Sequence, residues 1–563
     1  MNASADQGKR LLSAPSALLS VDLRAGERLH LWVGLIEEGA GLVTVSRDGN
    51  RIGDWRLGEP GVWTFIDIGT EEAGRLDIIA EGQPAEISAA YAFDPTRVMR
   101  DGVRLLHVHP RTAAPDVPDG YHFRQPFGWM NDPNGWSRFG GHFHLFYQHF
   151  PHIPRWNTMH WGHAVSDDML RWRHLPVFLR PDPALFPVDD LSGGAYSGSA
   201  IATPDGLRAF FTERRAGREP EDQIQLTALS RDGWSAEPPR VVLPLRPDLP
   251  GLTKDFRDPY VFTGPDGRLK MLLGSRDALG GVVLLYETDD RAGVTGWRFR
   301  DVLHRQTRNP QSVCECPCMV RLGPDDWALI YGMLSSTDPA TGRRNLSSVV
   351  LGSFDGQRLT PRHEQELDFG SDAYAFQAMP TEDGIVGIAW LSNWATVNKR
   401  QDNPTAMTLP RRMLLTDGIL HTPPIDGVAT LRRQMLDVEA LAGGSAMPLP
   451  GGAAEIEITL THPGAAMRLD LQHPDLPLGI EVSAEGIEIL HDPPGEGRIR
   501  YLAAGAAPRT LRLFIDTGSI EVFADGGRWT GTKRIAGFAP VTSTRIAAGR
   551  ENVAGLVAYG LGL

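Results

Sequence analysis

Apolar and polar residues alternate in short runs along most of this 563-residue chain, a pattern typical of β-strands. In the first hundred residues such runs cover 29–33 and 85–91, with glycine-rich breaks and little helical periodicity. The last block, about 435–563, has runs at 511–515 and 519–523 that are joined by a Gly/Asp turn. We predict a small β-sandwich at each end of the chain.

The middle block, about 120–430, repeats an apolar strand, a turn and another apolar strand. Five apolar runs begin at His142, Leu207, Leu269, Trp327 and Val386, which are 65, 62, 58 and 59 residues apart (207 − 142, 269 − 207, 327 − 269, 386 − 327). This period suits a four-stranded propeller blade, and five such units fill the block. We therefore predict an all-β protein: a five-bladed β-propeller followed by a C-terminal β-sandwich, with an extra small N-terminal β-rich domain.

Breaks in the pattern suggest domain boundaries. The polar segment 109–119 contains three prolines and looks like a linker. The predicted domains are an N-terminal accessory domain at 1–108, the linker at 109–119, the catalytic propeller at 120–432 and the C-terminal sandwich at 433–563. The first domain could bind glycans, support a homo-oligomer or only cover the propeller, and the sequence leaves these alternatives open.

Composition and charge restrict the partners of the protein. Hydrophobic residues make up 41% and charged residues 22% of the chain, as in ordinary globular proteins. The formal net charge of −13 argues against a nucleic-acid partner, because phosphate binding needs a basic surface. No apolar run approaches the roughly 18–20 residues of a membrane helix, so we expect no membrane contact. A small neutral ligand fits better.

The cysteines and the N-terminal residues bear on the compartment. The first 29 residues hold only a brief apolar run, a poor secretory signal. All three cysteines, Cys314, Cys316 and Cys318, lie together, so no long-range disulfide can form, and we expect a cytoplasmic protein. Their alternate spacing on a strand favours small apolar fillers over metal ligands, and we predict that His160 and His163 pack or hydrogen-bond the sugar and do not bind a metal. We predict neither a metal nor a cofactor.

One segment, WMNDPNG at 129–135, holds the carboxylate of Asp132 rigidly beside Pro133. Proline fixes its own φ and keeps the preceding residue out of the helical region, so a tight turn alone would explain the segment. Two further acids have similar settings: Asp258 in FRDPY and Glu315 in CECP. Each acid is followed by proline at once or after one residue.

The spacing of the three acids matches the propeller period. Asp258 follows Asp132 by 126 residues (258 − 132), about two periods, and Glu315 follows Asp258 by 57 (315 − 258), about one. Residues in equivalent places on blades one, three and four converge on the central channel. Clustered carboxylates cannot all ionise freely, so at least one pKa should be raised, which provides a proton donor beside an ionised nucleophile. Glycoside hydrolysis requires such a pair.

WMNDPNG, FRDPY and ECP, in this order and at this spacing, resemble the three acidic motifs of glycoside hydrolase family 32, whose members cleave or transfer β-fructofuranosyl units. The segments FHLFYQ, HWGHA, YSGSA, DFGSDAYAFQA and IDTGSIEVF agree with the same family, so the resemblance spans about 120–560. It implies a retaining β-fructofuranosidase that hydrolyses terminal β-D-fructofuranosyl units of sucrose or short β-fructans through a covalent fructosyl-enzyme. The expected partner is a small sugar.

The resemblance also implies residue roles. Asp132 resembles the nucleophile, Glu315 the general acid/base and Asp258 the stabiliser of the transition state. Six residues resemble the substrate-binding set: Asn131, Gln148, Trp156, Ser199, Arg257 and Tyr374. Cys314 and Cys318 depart from the family pattern, which commonly has a large aromatic and an acid there. Two alternatives stay open: a fructosyltransferase that uses the same site, and a non-catalytic fructan-binding protein.

Overall fold

A computed structural model describes residues 13–111, 113, 120–182, 185, 193–397, 399, 405–491, 499–535 and 539–563. Within them, 41 strands form nine sheets in which neighbouring strands are antiparallel, so the all-β prediction is confirmed. The helical segments of this part of the chain are short: α1 Val98–Asp101, α2 Glu439–Ala442 and the 3₁₀ segments Asp426–Leu431, Pro450–Gly452 and Arg550–Asn552. None of these could cross a membrane. Most of the predicted linker lies outside the described residues.

The first eight strands form two four-stranded sheets, the N-terminal sheets: β1 Ser13–Leu23, β2 Arg28–Leu35, β3 Gly41–Arg47, β4 Asn50–Leu57, β5 Thr64–Gly69, β6 Gly74–Gly82, β7 Ala85–Phe93 and β8 Arg104–Val108. Their orders are β1-β6-β3-β4 and β5-β2-β7-β8. Alternate residues of facing strands, such as Leu29 and Leu31 with Val43 and Val45, meet in one apolar core.

The next strands form five sheets, the central sheets. The first three contain β9 Trp129–Phe139, β10 His142–Phe150, β11 His160–Ser166 and β12 Trp172–His174; β13 Gly193–Thr203, β14 Gly206–Arg215, β15 Gln223–Ser230 and β16 Arg240–Leu243; and β17 Phe256–Thr263, β18 Leu269–Arg276, β19 Gly281–Thr288 and β20 Arg298–Gln306. The last two contain β21 Val313–Arg321, β22 Trp327–Leu334, β23 Ser347–Phe354 and β24 Leu359–Glu366; and β25 Tyr374–Thr381, β26 Gly384–Leu391, β27 Ala406–Met407, β28 Arg411–Thr416 and β29 Ile419–His421.

The central sheets are arranged around their first strands. β9, β13, β17, β21 and β25 contact one another in that order, and β25 returns to β9. Among the described residues no sheet closes on itself by hydrogen bonds, so packing between the sheets completes the ring. Each apolar run predicted from the sequence is the second strand of one central sheet. This arrangement agrees with a β-propeller.

The remaining strands form two six-stranded sheets, the C-terminal sheets: β30 Arg432–Met435, β31 Met447–Pro448, β32 Ala454–Leu460, β33 Met467–Gln472, β34 Pro477–Ser483, β35 Gly486–His491, β36 Tyr501–Ala504, β37 Thr510–Asp516, β38 Ser519–Ala524, β39 Trp529–Arg534, β40 Ser543–Ala548 and β41 Val553–Leu561. Their orders are β30-β41-β32-β37-β38-β39 and β31-β40-β33-β34-β35-β36. They enclose their own apolar core, as expected for a β-sandwich. Phe514 and Phe523 pack instead against the central sheets, beside Met407 and Leu409.

Candidate active site

A β-bulge near the start of each innermost central strand shapes the site. In β9, β13, β17, β21 and β25, two successive residues of the innermost strand lie opposite a single residue of the second strand. Bulges re-aim side chains and break the alternation of faces. Asp258 and Cys316 lie in two of these bulges with φ of 64° and 48°, a backbone region that non-glycine residues seldom adopt.

The three predicted acids occupy successive places relative to these bulges. Glu315 precedes its bulge, Asp258 is the first bulged residue of β17, and Asp132 is the second bulged residue of β9. The spacing of the three acids predicted equivalent positions on their blades. The structure corrects this detail, because the acids reach one cavity from three neighbouring places at their bulges.

The acids line one cavity of about 460 Å³ at the ring of innermost strands. Of the predicted binding residues, Asn131, Gln148, Trp156 and Arg257 line the same cavity. The structure adds eight residues that the sequence argument did not name as site residues: Tyr196, Ser197, Arg214, Gln223, Asp255, Leu334, Trp394 and Lys399. The segment YSGSA contains the first two, and nothing in the sequence signalled the other six.

The Asp132 side chain is buried, and Ser197 holds one of its two carboxylate oxygens. Its Oδ2 accepts a hydrogen bond from the Ser197 hydroxyl at 2.7 Å. Its Oδ1 is buried and has no hydrogen-bond partner among the described residues. Burial, and after it the charge of Glu315, raises the pKa of Asp132 above that of an ordinary aspartate. Ser197 therefore fixes one carboxylate oxygen, and the other has no hydrogen-bond partner among the described residues.

Cys316 joins Asp132 to Asp258. Its Sγ lies 3.7 Å from Oδ2 of each carboxylate, and its backbone N–H donates to Asp258 Oδ2 at 2.9 Å. Burial, and then the charges of the neighbouring acids, raises the pKa of the Cys316 thiol well above its usual range, so the thiol keeps its proton and can donate. Burial also raises the pKa of Asp258 to about 7, with Arg257 opposing this shift and Glu315 adding to it.

Glu315 is oriented by two neighbours. Arg257 donates to its Oε1 from Nε at 3.1 Å and from Nη2 at 2.9 Å, while the Tyr374 hydroxyl donates to Oε2 at 2.8 Å. Burial and the charge of Glu315 raise the pKa of Tyr374 well above its usual range, so this hydroxyl stays a donor. Arg257 also pairs with Asp255 at 2.6 Å. Tyr374 thus contacts Glu315 and does not itself line the cavity.

Ser199 is the second predicted binding residue that does not line the cavity. Its hydroxyl donates to the carbonyl of Pro259 at 2.9 Å and accepts from the N–H of Val261 at 2.9 Å, so it links the second and third central sheets. Ser197 takes the place at the cavity. The bulge in β13 includes Ser197, and it changes which side chains of this strand face the carboxylates.

The three cysteines and the two histidines singled out in the sequence lie in different surroundings. Cys314 and Cys318 are fully buried in an apolar cluster, as predicted, whereas Cys316 lies against the carboxylates because of its bulge. His163 stacks on Phe146 with ring centroids 4.1 Å apart, and His160 bonds the carbonyl of Thr158 at 3.0 Å. No three acid, histidine or cysteine side chains of the described residues are arranged to hold a metal ion.

The raised pKa of Asp258 predicts a pH-dependent cost to stability. A carboxyl with a higher pKa in the folded chain takes up a proton on folding, so stability falls from about pH 4, where the unfolded carboxyl ionises, to about pH 7. Asp258→Asn removes this cost. We expect its free energy of unfolding to exceed the wild-type value by on the order of a few kcal/mol at pH 8 and to match it near pH 4. Calorimetry across this range would measure it, and a pH-independent difference would contradict the explanation.

The fold and the site together define a class of protein. An all-β scaffold directs three carboxylates, of which Asp132 and Asp258 are buried and Glu315 is partly exposed, into one cavity with several polar side chains, as expected of a glycoside hydrolase. The chain matches the family described as "Glycosyl hydrolases family 32 N-terminal domain" over residues 122–424, more than half of its length. It belongs to glycoside hydrolase family 32 and is an enzyme of that family.

Similar proteins extend beyond the matched region. A sucrose-6-phosphate hydrolase of Escherichia coli is 31% identical over 452 residues, 77% of this chain and 91% of that protein. A raffinose invertase of Escherichia coli is 32% identical over 440 residues, 74% and 88% of the two chains. A solved structure of a family 32 glycoside hydrolase from Bifidobacterium adolescentis has a TM-score of 0.84 at 23% identity and covers 96% of this chain and 99% of that one.

The Bifidobacterium likeness concerns the fold alone and includes the N-terminal sheets. The 455 residues after Val108 (563 − 108) are only about 81% of this chain, so a coverage of 96% must extend into the first block.

Proposed function

We propose that this enzyme is a retaining β-fructofuranosidase that hydrolyses terminal β-D-fructofuranosyl units of sucrose or short β-fructans. The observation that carries the proposal is the meeting of Asp132, Asp258 and Glu315 at one cavity, with Asp132 Oδ1 unpartnered. The names of the Escherichia coli relatives, a sucrose-6-phosphate hydrolase and an invertase, support the same substrate class.

The first step would form a covalent fructosyl-enzyme. Asp132 Oδ1 would attack the anomeric carbon while Ser197 holds Oδ2. Glu315 in its acid form would give its proton to the glycosidic oxygen as the bond from that oxygen to the anomeric carbon breaks. The leaving sugar would depart as a neutral alcohol, and Glu315 would be left as a carboxylate.

The second step would return both carboxylates to their starting state. Glu315 would take a proton from a water molecule, whose oxygen attacks the anomeric carbon and releases Asp132. Two displacements at one carbon retain its configuration. Asp258 and Arg257 would bind sugar hydroxyls whose hydrogen bonds strengthen as positive charge develops on the ring.

A release assay tests this proposal directly. The protein is incubated with sucrose, raffinose, inulin and levan, and reducing sugar is measured. We expect fructose from at least one of them, and no release from any would overturn the proposal. Binding without release would favour the non-catalytic alternative. Equal amounts of free fructose and free glucose at high sucrose would exclude a transferase. Transfer would attach the fructosyl unit to another sugar and leave free glucose in excess.

A phosphorylated disaccharide is a second candidate substrate. The Lys399 ammonium lines the cavity, 4.3 Å over the ring of Trp156 and 4.5 Å over that of Trp394. It forms no ion pair with any residue that the structure describes. A cation without a carboxylate partner is suited to a phosphate group, and the same cavity contains Arg214.

Replacing Lys399 by methionine tests this candidate, because methionine keeps the apolar stem and removes the charge. We expect kcat/KM for sucrose 6-phosphate to fall by about tenfold or more, which corresponds to about 1.4 kcal/mol. Sucrose is the internal control, and its kcat/KM should change by less than about threefold. Equal losses on both sugars would show that Lys399 does not recognise phosphate.

We also propose the finer architecture predicted from the sequence. The five central sheets would be the blades of a five-bladed propeller, supported by the ring of contacts among their innermost strands. The N-terminal sheets would be an accessory domain at 1–108, with the propeller at 120–432 and the C-terminal sandwich at 433–563. Limited proteolysis should cut first in the predicted linker at 109–119, and early cleavage within a sheet would contradict the boundaries.

A further inference from the structure

The N-terminal sheets are fixed to the first central sheet by an apolar cluster. Trp32, Tyr91 and Phe93 pack there against Val165 and Val177. The N–H of Val177 also donates to the Tyr91 hydroxyl at 3.0 Å. These contacts alone would suit a passive cover, since none of them reaches the cavity.

A second set of contacts reaches the segment that follows β10. His152 in this segment is buried, and its ring lies parallel to that of Trp63, with centroids 4.4 Å apart and planes inclined by 9°. The Ser88 hydroxyl lies 2.9 Å from His152 Nδ1. Stacking restricts the plane of the ring and the hydrogen bond restricts its rotation, so Trp63, just before β5, and Ser88 of β7 hold His152 against Phe150 and His160 of the first central sheet.

The same segment continues to the cavity. Trp156, four residues beyond His152, lines the cavity and is only 6% exposed. It packs in a cluster with Trp129 and Tyr374, and Val62 of the N-terminal block packs against that cluster. Ile153, the residue after His152, packs against the same cluster, so a displacement of His152 would be passed to Trp156 through Ile153 and the short connection.

We propose that the N-terminal block helps to shape the sugar-binding site: Trp63 and Ser88 are positioning residues that hold His152 and, through it, the Trp156 wall of that site. The inference rests on the proposed function in taking this wall as the surface on which the sugar packs. Apolar packing against Trp156 is about equal in the ground and transition states. Its loss should therefore raise KM and leave kcat nearly unchanged.

The test compares two tryptophans of the N-terminal sheets. Trp63→Leu removes the ring that stacks on His152, whereas Trp55→Leu, the matched control, removes a ring that packs against the core of the N-terminal sheets. We expect Trp63→Leu to raise KM about fivefold or more with kcat within about twofold. Trp55→Leu and the conservative Trp63→Phe should keep a wild-type KM. If Trp63→Leu fails to fold, Ser88→Ala replaces it, with an expected rise in KM of two- to threefold.

A second readout does not depend on turnover. In protein labelled with 5-fluorotryptophan, the ¹⁹F resonance of Trp156 can be assigned from its loss in Trp156→Phe. We expect this resonance to shift in Trp63→Leu and to stay in place in Trp55→Leu. Equal KM values and equal ¹⁹F shifts in the two leucine variants would overturn the inference. If the wild type releases no sugar, the proposed function fails, and the ¹⁹F comparison still decides whether Trp63 positions Trp156.

Discussion

Asp132→Ala is expected to lower kcat by about 10⁴-fold or more while the protein stays folded, because the variant lacks the proposed nucleophile and cannot form the covalent intermediate. Asp132 Oδ1 is buried and unpartnered, whereas Oδ2 is held by Ser197. Glu315 cannot replace it readily, since Arg257 and Tyr374 hold both oxygens of that carboxylate. The matched control is Asp289→Ala, which removes an exposed aspartate outside the cavity and should leave kcat unchanged.

Azide separates the roles of Asp132 and Glu315. In Glu315→Ala, a substrate with a good leaving group needs little protonation, so the covalent step should be largely spared. Azide can then replace the missing base-assisted water and give an adduct of retained configuration. In Asp132→Ala, azide can only replace the nucleophile, so any adduct should be inverted. Determining the anomeric configuration of both adducts measures this difference.

The reverse outcomes would be decisive. A retained adduct from Asp132→Ala, or an inverted one from Glu315→Ala, would mean that the two roles are exchanged or that the mechanism is not retaining. Circular dichroism would show whether each variant is folded. An unfolded variant would be left out of the comparison, and the adduct of the other variant would still test its own role.

The second large effect is expected at the junction of the central and C-terminal sheets. Arg411 is fully buried and pairs with Glu521 at 2.6 Å and with Asp368 at 3.1 Å. Glu521 also lies 2.7 Å from His122 Nε2, and the other nitrogen of His122 lies 2.6 Å from Asp516. Charged side chains of the central and C-terminal parts of the chain therefore pair with one another in one buried network.

Arg411→Met should destabilise the protein by about 3–5 kcal/mol, because it leaves two buried carboxylates without their cation. The exposed pair of Arg97 with Asp101 is the control, and Arg97→Met should cost less than about 1 kcal/mol. Calorimetric unfolding would measure both. Adding Glu521→Gln to Arg411→Met should cost less than the sum of the single changes, since the uncompensated charge is removed. Additive losses would contradict this network.

Local patterns determined most of the fold. Each of the five apolar runs became the second strand of a central sheet, because burial of alternate residues is set by the two-residue repeat of a strand. The same argument held for the cores of the terminal sheets. The three acidic motifs were equally readable, since proline and asparagine restrict the backbone within a few residues.

The effect of the β-bulges could not be predicted from these local patterns. A regular strand would place Cys314, Cys316 and Cys318 on one face, yet the bulge turns Cys316 towards the carboxylates and leaves the other two in the core. The same kind of break put Ser197 instead of Ser199 at the cavity. A bulge depends on pairing with the neighbouring strand, which the sequence of one strand does not specify.

By itself, then, the sequence determined the β-architecture and the family and predicted the three acids that the structure brings to one cavity, because each strand and each motif is written in residues close together in the chain. Only the tertiary structure placed Lys399 in the cavity and Trp63 against His152. It also joined His122 to Glu521, which lies 399 residues further along the chain. These contacts arise from the packing of whole sheets, and no local periodicity encodes which surfaces of separate sheets will meet.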